Sequence, residues 1–126
     1  MKKIVQAIAL CTACLFCMAA NADSRIVEIW QCKVNEGKTM DDVATSNAKW
    51  LAFVRKVVAD GDVNSYGVES VVGDTTSFMY VDSFPSMEAW TAVKAALDSP
   101  EGKALEAELQ GTAECTNNSL HKSTAH

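Results

Sequence analysis

The order in which two kinds of apolar pattern follow each other is the feature that most constrains the fold of this chain. Segments rich in β-branched and aromatic residues predict strands, and longer segments with apolar residues three and four positions apart predict helices. Strands are predicted at residues 25–34, 63–72, 75–84 and 112–121, and helices at 40–58, 85–97 and 99–110. The two last helices read as one interrupted helical region, so the element order is β-α-β-β-α-β.

Short local signals mark the ends of several elements. Thr39 and Asp42 form a T-x-x-D capping box at the start of the first helix. Ser99 followed by Pro100 predicts that the second helical region stops and restarts there, because serine is a good N-cap and proline suits the first helical position. Gly73 predicts a tight hairpin turn between the second and third strands.

The element order corresponds to the split β-α-β, or ferredoxin-like, plan of the α+β class. We therefore expect one four-stranded antiparallel sheet with the helices on one face. In the usual strand order, 4-1-3-2, the fourth strand lies antiparallel beside the first and forms an edge.

Residues 1–22 have the layout of a bacterial secretory signal peptide, with two early lysines, an apolar run and an A-x-A site. We expect cleavage after Ala22, a single α+β barrel domain over residues 23–126, and a periplasmic or secreted protein. A transmembrane anchor is less favoured because the apolar run is slightly short. A lipoprotein anchored at Cys14 is also less favoured, because Cys11 stands where a lipobox usually has leucine.

Charge limits the classes of partner. Removing residues 1–22 from the 126-residue chain leaves 104 residues, and the loss of two lysines changes the formal net charge from −5 to −7. No cluster of Lys and Arg offsets this balance, so nucleic acid and anionic membranes are poor candidate partners.

Two cysteines, Cys32 and Cys115, remain after the predicted cleavage. In an oxidising compartment they predict a single disulfide, and the lack of a C-x-x-C motif favours a structural over a redox role. The bond would close a loop of about 84 residues and stabilise the fold by roughly 4 kcal/mol. The predicted strand order places the same two residues on neighbouring strands, so two independent observations indicate one contact.

Alternation along the strands divides side chains between the two sheet faces. We assign the aliphatic set, Val27, Ile29, Met79 and Val81, to the face under the helices. The open face is then predicted to carry Glu28, Trp30, Cys32, Phe78, Tyr80, Asp82, Asn117 and His121. A register error of one residue would exchange the two faces.

The helices can cover only one face of such a sheet. The other face would expose Trp30, Phe78 and Tyr80 together, a patch unlike the surface of a soluble monomer. Packing of this face against the sheet of a second copy would bury it, so we expect a homodimer.

Two stretches, NEGKTMDDV at residues 35–43 and YVDSFPSMEAW at residues 80–90, resemble the dimeric α+β barrel superfamily, and more loosely its antibiotic-biosynthesis-monooxygenase-like members. The resemblance implies a homodimer with a cavity between each sheet and its helices or partner. Members of the superfamily include cofactor-free oxygenases, haem-binding enzymes, isomerases and cyclases, so the resemblance implies a fold and not one reaction.

Asn47 is the most informative polar residue, because it lies in the buried stripe of the first helix between Val43 and Leu51. A buried amide without a hydrogen bond costs about 1–3 kcal/mol. Asn47 therefore either bonds a nearby strand or donates to a ligand carbonyl or oxyanion. The residues expected to line a ligand site are Trp30, Trp50, Phe78 and Tyr80.

Glu28 and Asp82 could form a carboxylate pair in which burial raises one pKa and creates a base. The alternative is that each lies near a strand end in contact with water, which we favour for Asp82. His121 is the sole reasonable haem ligand, and no second metal ligand stands at a useful spacing. We therefore expect neither a metal nor a cofactor.

Three functions fit these residues. The first is an exported dimer that holds a small apolar or aromatic molecule in its barrel. The second is a cofactor-independent monooxygenase-like, or isomerase-like, enzyme in which Asn47 or Tyr80 stabilises negative charge and Glu28 takes a proton. The third is a structural or interaction protein with the fourth strand as a docking edge.

Overall fold

The computed structural model describes residues 24–126, so the predicted signal peptide, residues 1–22, lies outside the described residues. The elements are β1 (Ser24–Val34), α1 (Met40–Val57), a 3-10 turn (Ala59–Gly61), β2 (Asn64–Glu69), β3 (Ser77–Phe84), α2 (Met87–Leu97), α3 (Pro100–Thr112) and β4 (Ala113–Thr124). The predicted order is confirmed, including the interruption between α2 and α3. No helix within residues 24–126 combines the length and the apolar character that a bilayer crossing requires.

The four strands form one antiparallel sheet in the order β2-β3-β1-β4. This arrangement confirms the predicted strand order and places β4 at an edge. The helices lie on one face of the sheet, where α1 and α2 form the larger part of the apolar core around Phe84. A second buried cluster, centred on Tyr80 and Val43, fills the other end of the same layer.

The predicted helix caps form. Thr39 Oγ1 accepts from the Asp42 N–H at 3.3 Å, and Asp42 Oδ2 accepts from the Thr39 N–H at 2.8 Å. Ser99 Oγ accepts from the Gly102 N–H at 3.1 Å. A β-carbon at Gly102 would lie 2.5 Å from the Leu97 α-carbon, so glycine allows α3 to begin directly against the end of α2.

The connection between β2 and β3 is longer than the tight turn predicted at Gly73. β2 ends at Glu69, and residues 70–76 form a loop. The Asp74 carboxylate closes this loop by accepting from the Thr76 N–H at 2.9 Å, an Asx-type turn that competes with a shorter hairpin.

The two sheet faces are exchanged relative to the prediction. Glu28, Trp30 and Cys32 on β1 face the helices, as do the buried residues of β3: Phe78, Tyr80, Asp82 and Phe84. The aliphatic set lies on the open face instead. The assignment was wrong because it placed charged side chains on the solvent side, whereas the helices supply partners for them and the rings fill the space beneath.

A β-bulge in β4 changes the faces along that strand. The pairing with β1 shifts between Gln31 and Cys32, so that Cys32 pairs with Cys115 while Gln31 pairs with Asn117. The extra residue, Thr116, breaks the alternation. The prediction that Cys32 shares a face with Asn117 and His121 is therefore wrong, although Asn117 and His121 do lie on the open face.

Cys32 and Cys115 form a disulfide across β1 and β4, with α-carbons 4.0 Å apart. Cys32 is 2% exposed and packs in the Tyr80 cluster. The bond therefore joins the central strand to the edge strand beside the site described next.

Candidate ligand-binding cavity

A cavity of about 450 Å³ lies between the helix-covered face of the sheet and the helices. Its volume falls within the range of small-molecule sites. Every helix and three of the four strands contribute to its wall. Its aromatic and polar lining residues include Trp30, Asn47, Trp50, Tyr80, Asp82, Lys94, Glu106 and Glu114.

The structure brings four sequence-predicted site residues together, because Trp30, Asn47, Trp50 and Tyr80 all line this cavity. Phe78 does not line it. Phe78 is 3% exposed and packs edge-to-face on Tyr80, with ring centroids 5.0 Å apart. Phe78 therefore supports the Tyr80 ring instead of contacting a ligand in this cavity.

Asn47 begins a hydrogen-bond chain that crosses from α1 to the sheet. Its Nδ2 donates to Ser65 Oγ at 2.9 Å, and Ser65 Oγ donates to Asp82 Oδ1 at 2.5 Å. Because the single Ser65 proton goes to the carboxylate, Asn47 must donate through its amide nitrogen, which leaves the amide oxygen as an acceptor. The Asn47 side chain thus has a protein partner and also borders the cavity.

Asp82 is buried, at 5% exposure, and does not meet water at a strand end as predicted. Burial raises the pKa of its carboxyl to about 6, and the charge of Glu28 adds to the increase. The Ser65 hydrogen bond and the charge of Lys94 offset part of it. Asp82 therefore titrates close to neutral pH beside the cavity.

Glu28 is 1% exposed and is held by three donors. It accepts from Trp90 Nε1 at 3.1 Å and Asn118 Nδ2 at 2.9 Å, and it pairs with Lys94 Nζ at 2.7 Å. A carboxylate with both oxygens engaged is a poor base, so the structure does not favour the catalytic role predicted for Glu28. The alternative for Glu28, contact with water near a strand end, does not hold either, because the side chain is buried.

Lys94 is a cavity-lining residue that the sequence reading missed. Its Nζ lies 5.6 Å from the ring centroids of both Trp30 and Trp90, in addition to its pairing with Glu28. The available signal was its position four residues after Trp90 and three before the buried Leu97.

Tyr80 carries a buried hydroxyl that has no hydrogen-bond partner within residues 24–126. Burial, and secondarily the charge of Asp82, raise the pKa of Tyr80 to about 12, and the nearby Thr112 hydroxyl offsets part of this. Thr112 Oγ1 donates to Leu109 O at 2.8 Å and contacts Ser46 Oγ at 3.1 Å. Its position relative to the Tyr80 hydroxyl does not meet hydrogen-bond geometry. A ligand or water hydrogen bond would remove a penalty of about 1–3 kcal/mol.

The histidine considered as a haem ligand lies away from the cavity. His121 is exposed on the open face of β4, where its ring nitrogen Nε2 hydrogen-bonds Ser119 at 2.8 Å. Within residues 24–126, no three side chains of the metal-ligating types come together.

No protein-family model matches the chain, and no curated protein sequence matches it. Solved structures do match. SnoaB, a cofactor-independent oxygenase from Streptomyces nogalater, matches at a TM-score of 0.54 and 12% identity, over 82% of this chain and 94% of that one. A proposed antibiotic biosynthesis monooxygenase from Caulobacter crescentus CB15 matches at 0.54 and 15%, over 83% and 92%.

A dimeric ferredoxin-like protein of unknown function from Thermobifida fusca YX also matches, at a TM-score of 0.51 and 14% identity, over 81% of this chain and 92% of that one. The fold of the chain is therefore the ferredoxin-like α+β fold, as the sequence resemblance implied. At these identities the likeness establishes the fold alone, and the chemistry must be argued from the cavity.

Proposed function

We propose that this protein is an exported, homodimeric α+β barrel protein that holds a small aromatic molecule in its cavity. The observation that carries the proposal is the cavity lining. Two indoles, Trp30 and Trp50, border about 450 Å³ of space together with the unpartnered hydroxyl of Tyr80. Apolar ring surface supplies affinity in such sites, and a few polar groups orient the ligand.

The proposed dimer uses the open face of the sheet. Ile29 and Tyr66 both pair with Val81, and Val68 pairs with Met79, so these side chains form a continuous apolar patch across three strands. Tyr66 is 55% exposed and Val68 is 39% exposed. The matching Thermobifida protein is a dimer, and sheet-to-sheet packing would remove this patch from water.

Export is supported by the signal-peptide layout of residues 1–22 and by the pairing of Cys32 with Cys115. Disulfides of this kind persist in oxidising compartments. Mass spectrometry of the protein recovered from the periplasm or medium reports the cleavage site and the disulfide together. A cytoplasmic protein with free thiols would contradict this part of the proposal.

Binding is tested by calorimetry with small neutral aromatic probes such as phenethyl alcohol and indole. Trp50→Leu should weaken binding about fivefold or more, because one of the ring walls is lost. The matched control is Phe53→Leu, which changes an aromatic residue of the same helix that packs against the same core cluster and does not line the cavity. No binding of any small aromatic probe, or equal losses in the two variants, would refute the proposal.

A cofactor-independent oxygenase is the second candidate, and the burial of Asp82 favours it. A base is most effective when its pKa lies near the working pH, and the pKa of Asp82 is about 6. Asp82 would take a proton from an acidic phenol or quinol, while Asn47 and Tyr80 would stabilise the resulting anion before it reacts with oxygen. Among the matching structures, SnoaB is a cofactor-independent oxygenase.

Oxygen uptake separates the two functions. An oxygenase should consume oxygen with phenols or quinols, and Asp82→Asn should abolish that uptake while leaving the protein folded. Binding of the same probes without uptake would support the ligand-holding function alone.

A further inference from the structure

The charges around the cavity do not balance. Among the side chains that reach it, one is basic, Lys94, and two are acidic, Asp82 and Glu106. The Glu114 side chain points to the open face, because Glu114 pairs with Lys33 while its neighbours Ala113 and Cys115 face the helices. Lys94 is already paired with Glu28 at 2.7 Å. Neither Asp82 nor Glu106 forms an ion pair with another residue in the range 24–126. The cavity therefore has an excess of negative charge, which favours a cationic occupant and disfavours an anionic one.

The aromatic wall is of a kind that accepts an ammonium group. Lys94 Nζ lies 5.6 Å from the Trp30 centroid, so this indole already takes part in a cation–π contact. Trp50 also lines the cavity, and no cation lies over its ring in the described part of the chain. Indole rings combined with carboxylates are the chemistry that recognises organic ammonium ions.

Three residues that line the cavity each have an acceptor that no residue in the range 24–126 uses. Asp82 Oδ1 accepts from Ser65, while Asp82 Oδ2 accepts no hydrogen bond from the described residues. The buried Tyr80 hydroxyl has no partner among them, and Tyr80 is two residues from Asp82 on the same sheet face. The amide oxygen of Asn47 is also available, because Asn47 donates to Ser65 through its nitrogen. Three unused acceptors therefore belong to cavity-lining residues, which is the number of N–H donors in a primary ammonium group.

We propose that the cavity binds a small primary ammonium ion with an aromatic body, whose charge is held by the Asp82 carboxylate and whose ring lies against Trp30 and Trp50. This inference rests on the proposed ligand-holding function and specifies its ligand class. An anionic ligand would have to draw Lys94 from Glu28 and leave that carboxylate buried without its cation. A neutral aromatic molecule would pack against the indole rings but would gain nothing from the excess negative charge of the cavity.

Three probes with similar bodies test the ligand class: phenethylamine, phenethyl alcohol and phenylacetate. Calorimetry on the purified, disulfide-bonded protein at about pH 7 and low salt should give an amine affinity about tenfold above that of the alcohol, with phenylacetate weakest. Equal affinities for the amine and the alcohol would overturn the ammonium assignment and leave the aromatic-holding function intact. No binding of any probe would overturn both.

Asp82→Asn keeps the shape of the side chain and removes its charge. We expect this variant to bind phenethylamine about tenfold more weakly and phenethyl alcohol within about twofold of the unaltered protein. Asp98→Asn, at the exposed end of α2, is the matched control and should change neither affinity. Unchanged amine binding in a folded Asp82→Asn protein would refute the role of Asp82.

The unaltered protein provides an independent measurement. Because the pKa of Asp82 is about 6, its ionised fraction falls about tenfold from pH 7 to pH 5, and amine affinity should fall with it while alcohol affinity does not. A flat amine profile would count against the proposal. The charged or titratable groups facing Asp82 or the cavity are Glu28 on β1, Tyr80 on β3, Lys94 on α2 and Glu106 on α3. The elements α1 and β2 contribute the neutral Asn47 and Ser65.

Discussion

Asp82→Asn should make the protein more stable at neutral pH while it removes the function proposed for the site. Burial raises the pKa of Asp82 from 3.8 to about 6, so the ionised carboxylate is less favourable in the folded protein than in the unfolded chain. Asparagine has nearly the same shape, can accept the Ser65 hydrogen bond through its amide oxygen, and carries no charge to desolvate.

The size of the effect follows from the pKa shift. A difference of about 2 units corresponds to at most about 3 kcal/mol of stability lost when Asp82 ionises, at about 1.4 kcal/mol per unit. Because the folded-state pKa is raised, this stability is fully present below about pH 4 and is lost as the pH rises through about 6. The amide N–H groups need acceptors of their own, which reduces the expected gain at neutral pH to about 1–2 kcal/mol.

Urea unfolding of both proteins at several pH values between about 4 and 8 measures the effect. The difference in unfolding free energy, variant minus unaltered protein, should rise between about pH 4 and pH 6 and then level off. Taking the difference cancels the contribution of carboxyls whose pKa is lowered, such as Asp42 and Asp62. Asp60→Asn, on the exposed 3-10 turn, controls for the loss of one surface charge. A difference that stays flat with pH, or that falls as pH rises, would refute the reasoning.

Three further changes test other parts of the structure. Replacing Cys32 and Cys115 with alanine frees a loop whose ends are 83 positions apart, so the unfolding free energy in urea should fall by about 4.5 kcal/mol; a loss below about 1 kcal/mol would contradict the chain-entropy reasoning. Tyr80→Phe removes an unpartnered hydroxyl and should leave that free energy unchanged or raise it by about 1 kcal/mol, while phenethylamine binding weakens; a clear loss of stability would reveal a partner for the hydroxyl. Val68→Lys on the open face should shift sedimentation equilibrium toward monomer, whereas Ala107→Lys on the exposed side of α3 should not, and a monomeric unaltered protein would refute the dimer.

The parts of the fold that depend on local chemistry could be predicted from the sequence. Thr39 and Ser99 cap their helices through contacts with residues three positions away, and such contacts leave a readable pattern. The disulfide between Cys32 and Cys115 could be predicted because the cysteine count and the strand order indicated the same pair.

The sequence could not show which face of the sheet the helices cover. Alternation along a strand shows which residues share a face, but not which of the two faces packs against the helices. The choice was made from the aliphatic residues, which suit packing under helices, and it left Glu28 on the open face. Its burial depends on Trp90, Lys94 and Asn118, which are 62 to 90 positions away and belong to α2 and β4. No local pattern could reveal three donors converging from separate elements, nor the extra residue at Thr116 that resets the faces of β4.

The exchanged faces also bear on why the chain folds in this way. Placing Val27, Ile29, Met79 and Val81 under the helices would bury apolar surface without desolvating a charge, yet the structure buries Glu28, Asp82 and an unpartnered Tyr80 hydroxyl there instead. Local departures of this kind from the most stable choice are expected at functional sites, where they are retained for binding or catalysis. The aliphatic set on the open face is exposed to water in the single chain, and the proposed second copy would cover it. If Asp82→Asn raises stability and removes amine binding while Val68→Lys separates the subunits, then the helix-covered face is specialised for a ligand and the open face for the partner.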